Sequence, residues 1–293
     1  MAETNVATAA EIYSAKAIVA MKVALARLTS FSTDFTDEFK RTGESINIPL
    51  ITPDAITEWN ATNNNFHRLT ADLSEVSLKL GVKLIGGFGI TPQQMKRFRP
   101  NWWQGKAELN VNGMANVFLG KVAALITAAN YGSAKGDSMS VPLAGFGLAT
   151  VGDIRAAAIE RGMFVNESTL GLNPLYFSAL LASCGYDKTG DPAIIASGHI
   201  PGLLGFKEII EIRQLTKPGF VCHQDAICVG SAIEDIASTK VFDEVQVITD
   251  PETGFSMQQV IVTNSGTGEM SSSVNAIPAV GVGNSKALMR LEK

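Results

Sequence analysis

The stretch WWQGKAELNVNGMANVFLGKVAALITAANY, residues 102–131, decides how the rest of the chain is read. Val111, Ala115, Phe118, Val122, Leu125 and Ala129 recur alternately four and three residues apart, which on a helix gathers them into one stripe. Glu108, Asn112, Asn116 and Lys121 fall on other faces. The spacing predicts one long amphipathic helix, entered after Pro100 and Asn101 and stopped at Gly132 and Ser133. At about 1.5 Å per residue it would be a rod of about 45 Å, long for an ordinary domain. Gly113 and Gly120 interrupt it. Each costs about 1 kcal/mol relative to alanine, so they mark either close packing or a place where the rod bends. The chain before the rod reads as peripheral and the chain after it as packed domain.

A chain of 293 residues can bury a large core, and its length favours about two domains. With 46% hydrophobic and 18% charged residues the composition is globular. No run of about eighteen uncharged apolar residues occurs, so no membrane-spanning helix is expected. The nearest candidate, residues 12–28, carries Lys16, Lys22 and Arg27, and the opening MAETN lacks the basic lead of a signal peptide. It reads as an ordinary helix. A net charge of -4 argues against a dedicated nucleic-acid binder. The three cysteines, Cys184, Cys222 and Cys228, cannot form a disulfide framework and read as reduced thiols of an intracellular protein.

The alanine-rich first forty residues break at FSTDFTDEFKRTGES, which predicts an extended segment. SINIPLITP then alternates as a short strand closed by Pro49 and Pro53. After the polar connector WNATNNNFHRLTADL comes a second β run, EVSLKLGVKLIGGFGI, with Val76, Leu78 and Leu80 on one side. Together they predict a two-stranded arm outside the core. Such a hairpin is marginal alone, so it should lie on something else, such as another subunit.

Lys79, Lys83, Lys96, Arg97, Arg99 and Lys106 follow with no acidic residue among them, and MKRFRPNWW interleaves aromatics with the charges. That combination suits phosphate neutralisation with base stacking; a solvated or subunit-contact face is the plainer reading. Beyond the rod, SAKGDSMSVPLAGFGLA is a glycine- and serine-rich boundary. Thr150 and Asp153 open a helix, VGDIRAAAIERG, that stops at Gly162, and residues 163–165 are a strand candidate. Asn173 and Pro174 supply cap and first residue for NPLYFSALLAS. A turn at YDKTGDP, a strand at AIIAS, strand-like text from Phe206 and the apolar run FVCHQDAICVGSAI complete an alternation expected of an α/β or α+β unit. VFDEVQVITD and FSMQQVIVTN form an antiparallel hairpin about the turn DPETG, with Asp250 and Gly254 at its ends. A second turn at SGTGEMSSS leads to a final strand around residues 279–282 and to KALMRL.

Catalytic motifs are missing. There is no G-x-S-x-G and no P-loop, and GFGLAT matches only the first half of a dinucleotide fingerprint. Cys222, His223 and Cys228 do not converge as zinc ligands, which favours buried thiols. His67, His199 and His223 lie in separate segments, and Asp187 and Asp191 are explained by turn chemistry as well as by calcium. No cofactor or metal is expected.

The order of parts resembles one family, the major capsid proteins of tailed double-stranded DNA phages, with the Hong Kong 97-like fold. TGESINIPLI and EVSLKLGVKLIGGFG resemble the two strands of its extended E-loop. TVGDIRAAAIERG, NESTLGLNPLYFSALL, GHIPGLLGFKEII and GFVCHQDAICVGSAI resemble its axial A-domain, and FDEVQVITDPETGFSMQQVIV, ending near KALMRL, the sheet of its peripheral P-domain. The resemblance implies an α+β fold with an N-terminal arm at 1–41, an E-loop at 42–95, the P-domain spine helix at 96–135, the A-domain at 136–238 and the P-domain sheet at 239–293. It implies self-assembly into pentamers and hexamers of an icosahedral virion head, each E-loop lying over a neighbouring subunit. A rounded precursor would expand as DNA is packaged, the spine bending at Gly113 and Gly120. Expected partners are a separate scaffolding protein, a portal, a decoration protein and DNA held by weak, non-specific contact; no membrane is expected. Lys79, Lys83, Lys96, Arg97 and Arg99 would face the next subunit or the genome. The rival within the fold is an encapsulin-like compartment with protein cargo, and from another class, an enzyme whose site is assembled from scattered residues.

Overall fold

The structure is a computed structural model of the chain, and it describes residues 17, 19–21, 25–42, 44–50, 74–95, 100–184, 199–234, 242–250 and 254–293. Among them the rod is a 26-residue helix, Pro100–Leu125, and the short helices Thr36–Thr42 and Pro92–Met95 lie before it. We number these α1 (Thr36–Thr42), α2 (Pro92–Met95) and α3 (Pro100–Leu125). Val111, Ala115, Phe118 and Val122 are buried as their spacing predicts, joined by Met114 and Leu119.

The rod is shorter than expected. It ends at the β-branched pair Ile126 and Thr127, and one further turn, α4 (Ala128–Tyr131), restarts behind Thr127 in an extended conformation. The restart rotates the stripe, leaving Leu125 half-buried and Ala129 exposed. It also buries Tyr131, whose hydroxyl donates to the Ala226 carbonyl at 2.9 Å.

Two sheets pack against α3. The first is built on a 13-residue strand, β13 (Met270–Val282). Along one edge it pairs with β12 (Ser256–Thr263) and then β10 (Ile227–Ala232), and along the other with β4 (Leu84–Ile90) and, at Ala279, with Leu80. β11 (Glu244–Thr249) extends the sheet beyond β12, and the two-residue β1 (Thr33–Asp34) beyond β10. The second sheet runs β5 (Ser138–Ser140), β14 (Leu288–Glu292), β9 (Gly219–Cys222), β6 (Thr169–Leu172), β8 (Glu208–Glu211) and β7 (His199–Pro201). Leu84, Phe255, Met257 and Ala276 surround Val111, Met114, Ala115 and Phe118 along the middle of α3. Phe31, Ile212, Leu215 and Phe220 surround Leu119, Val122 and Ile126 beyond it. The rod therefore crosses from one sheet to the other near Gly120.

Period-two alternation lets the second sheet bury both faces. Leu170, Leu172, Ile209, Val221, Met289 and Leu291 pack with α5 (Leu148–Glu160) and α6 (Pro174–Cys184), while Phe220, Cys222, Ile210 and Leu288 join the spine core. The Phe220 ring lies over Gly171 and meets Phe31 edge-on, centroids 5.5 Å apart.

Several expectations are corrected. The chain before the rod is not peripheral: Ala17, Met21, Leu25, Leu28 and Phe31 belong to the spine core, and Thr36–Thr42 is helical where an extended segment was expected. The second β run divides into β3 (Ser74–Lys79) and β4; only β3 pairs with β2 (Ser45–Leu50). The base of this arm sits on its own chain, Ile46, Ile48 and Leu78 packing with Phe39, Cys228 and Ala279. α5 begins at Leu148, where Ser183 Oγ accepts the Leu148 N–H, so Thr150 lies inside the first turn and opens no cap. The strand expected at residues 163–165 is absent, Met163 and Phe164 being irregular and Val165 opening a 3₁₀ turn over Val165–Glu167, and Ser271, Ser272 and Ser273 lie in β13, not in a turn. FVCHQDAIC splits at a 3₁₀ turn over Gln224–Ala226 into β9 and β10, in different sheets. Each sheet draws strands from both sides of residue 238, β10 joining the first and β14 the second. The Asn173 cap holds, its Oδ1 accepting the Leu175 N–H at 3.0 Å. The AIIAS strand and the YDKTGDP turn lie outside the described residues.

Candidate functional site

The residues singled out by sequence separate into a helix face, a basic surface and a turn. Gly113 is exposed and Gly120 half-exposed, and a Cβ added at either would meet nothing within 4 Å. Among the described residues, close packing within the chain is thereby removed as the reason for these glycines. What is left is backbone freedom or an approach from outside.

The described residues of the basic block differ in their surroundings. Lys83 is half-buried, its Nζ 2.5 Å from Glu234 Oε2, and Lys106 sits 5.6 Å from the centre of the Trp102 ring. Lys79 is exposed on β3, and Lys96, Arg97 and Arg99 lie outside the described residues. The acidic partner of Lys83 comes from 151 positions away, so a run without acids in sequence is not one in space.

Asp250 is fully buried where the β11–β12 hairpin closes, its N–H donating to Phe255 O at 3.0 Å. Gly254 follows at φ +69°, a left-handed backbone, and a Cβ there would strike the Asp34 carboxylate. Asp34 is held to α1 through the Thr36 hydroxyl at 2.6 Å; burial pushes its carboxyl pKa up, against that bond. A cleft of about 430 Å³ opens beside it, with Leu25, Leu28 and Phe255 among its walls.

Among the described residues, groups with catalytic potential stay apart. His199 Nε2 lies 2.6 Å from Glu208 on the β7 edge, while His223 lies 3.3 Å from Asp225 and 3.4 Å from Glu167 at the junction of the sheets. His67, Asp187 and Asp191 fall outside the described residues. Cys222 is buried and donates to the Phe31 carbonyl, and burial raises its thiol pKa; that of Cys228 is pushed up to about 11. Among the described residues no three metal-ligating side chains could hold an ion, and no helix is long and apolar enough to cross a membrane.

Sequence reasoning missed the arginine staples that hold loops in place. Arg161, at the end of α5, donates to Gly136 O at 2.8 Å and Lys286 O at 3.2 Å, and pairs with Asp137. Arg290, buried on β14, donates to Gly132 O at 2.8 Å and pairs with Glu292, whose pKa is lowered chiefly by its hydrogen bond from Lys217. Their partners are mostly backbone carbonyls of distant loops, which leave no pattern in sequence.

No family model and no curated protein matches the chain. Solved structures do. A chain of the capsid of cyanophage P-SCSP1u is 12% identical, with a TM-score of 0.60 over 89% of this chain and 86% of that one. A chain of the mature capsid of bacteriophage PhiM1 is 12% identical, with a TM-score of 0.55 over 91% and 86%. A capsid chain of a native GTA particle is 12% identical, with a TM-score of 0.56 over 92% and 90%. At such identities the likeness is one of fold.

Proposed function

We propose that this chain, which has the Hong Kong 97-like capsid fold, is the major capsid protein of a tailed double-stranded DNA phage and builds its shell from copies of itself. The observation that carries the reading is coverage: the likeness takes in 86% or more of both chains in each of the three comparisons, so it extends over nearly the whole fold and not over one shared element. The role is structural, in pentamers and hexamers of a virion head, with a scaffolding protein, a portal and a decoration protein as partners and DNA held weakly. The five segments given above, from the N-terminal arm to the P-domain sheet, are our assignment of assembly roles. Electron microscopy of the protein expressed alone and with its flanking genes should show closed shells or curved sheets tens of nanometres across. DNA inside supports the phage head and protein cargo the compartment; uniform monomers or dimers in both preparations would reject assembly altogether.

In this reading Gly113 and Gly120 let the spine bend in a rounded precursor. Support comes from their open surroundings and from Gly120 standing where α3 passes from one sheet to the other, so a bend there would reorient the sheets. Replacing both with alanine should stabilise the isolated subunit by about 1 kcal/mol per site, because the helix gains and nothing clashes. The same pair should hinder precursor assembly or its expansion. A higher urea midpoint with unchanged assembly and expansion would sink the hinge.

A further inference from the structure

The two ends of the first sheet are unguarded strand edges. Among the described residues, β4 has no backbone partner on the side away from β13, nor β11 on the side away from β12. Exposed edges are ordinarily blunted by lysine, proline, a bulge or shortness. The outer strands of the second sheet follow that rule, β5 and β7 being three residues long and β7 ending in Pro201. β4 does not: its seven residues, LIGGFGI, include no charge. β11 is EVQVIT, charged only at Glu244.

The register ties these edges together. Val247 pairs with Gln258, Gln258 with Asn275, and Asn275 with Ile85, so one transverse row crosses the four strands. Its inner members, Gln258 and Asn275, are buried, while its ends are apolar and open, Ile85 being 66% exposed and Val247 56%. All three pairings are antiparallel, so β4 and β11 run in opposite directions. A second sheet laid alongside in the same orientation therefore meets the first antiparallel, with the row continuing on the same face. The Asp250 N–H bond to Phe255 O directs alternate residues of β11 at β12, which turns the N–H and C=O groups of Val245, Val247 and Thr249 outward. Across the joint Val245 would meet Gly87 and Ile248 would meet Leu84, so small faces large and apolar faces apolar.

We propose that β4 of one copy pairs antiparallel with β11 of the next, setting Ile85 opposite Val247, so that the first sheet runs on between subunits. This rests on the reading of the chain as a self-assembling shell protein. Because the two edges differ, the contact is head-to-tail and can close a ring or propagate. Backbone bonds supply the adhesion and the apolar row fixes the register.

The test is a double cysteine variant, Ile85→Cys with Val247→Cys, oxidised mildly in assembled particles; the three native cysteines are buried. A non-reducing gel should show a ladder beyond the dimer, and neither single variant should give one. Val247→Lys alone should lower particle yield at least tenfold with the subunit still folded by circular dichroism. Adding Ile85→Glu to it should restore most of the yield, which a mere folding defect would not allow. Particles that form without a ladder, together with a charge pair that fails to rescue, overturn the joint and leave the shell reading standing. A wild-type protein that forms no particle or oligomer overturns both.

Discussion

Phe118→Ala is expected to destabilise the subunit by about 3–5 kcal/mol, the range for truncating a fully buried phenylalanine. Phe118 is 1% exposed at the middle of α3, its ring centre 4.9 Å from that of Phe255. Alanine is the better helix former, so the helix itself gains slightly and the loss is one of packing. Met114 and Ala115 beside it belong to one rigid rod, so the void cannot readily collapse. Phe118→Leu, which keeps most of the volume, should cost about 1 kcal/mol. Urea unfolding of the two variants measures the difference. Equal midpoints would mean that the spine is not packed as described.

Gly219→Ala should cost roughly 3 kcal/mol for a different reason, overpacking between backbones. Gly219 begins β9, between β14 and β6, and a Cβ there would strike the Gly171 carbonyl oxygen and come within 3.1 Å of Leu172 Cδ2. The obstacle is a strand backbone in the centre of the sheet, which cannot step aside as a side chain would. Thermal unfolding should show the loss, and hydrogen exchange should show it concentrated in β6, β9 and β14. A variant as stable as the parent would contradict the close approach of the β6 and β9 backbones at Gly219.

What could be read beforehand follows the range of the interactions. The buried stripe of α3 was legible because helical periodicity is local, and the hairpin about Asp250 and Gly254 because its strands are neighbours in the chain. The stop at Ile126 was not, since Ile126 continues the apolar text and stays buried after the helix has ended. Serines hid the start of β13: Ser271, Ser272 and Ser273 suggest a turn, yet they pair with the glycine-rich β4 and with β12. Sheet membership was out of reach because the pairings are distant, Ile227 with Val282 and Leu288 with Cys222. For the same reason nothing in the sequence around Lys83 marks its partner, Glu234, which lies 151 positions away. The edge residues Ile85 and Val247 carry no mark in the sequence; only the register puts them in one row.

The place of β14 bears on when a subunit becomes competent. Residues 288–292 lie between β5 and β9, in the interior of a sheet whose other strands are all made earlier. While the ribosome is still short of them, the completed part of the chain must wait with an inner slot of that sheet unfilled and Leu288, Met289 and Leu291 missing from two cores. At about 5–20 residues per second that wait lasts for seconds, during which nascent strands invite wrong partners. In the shell reading proposed above, late closure would also be a safeguard on a polysome, where many copies emerge side by side, because no chain presents both finished sheets to its neighbours before residues 288–292 have been made.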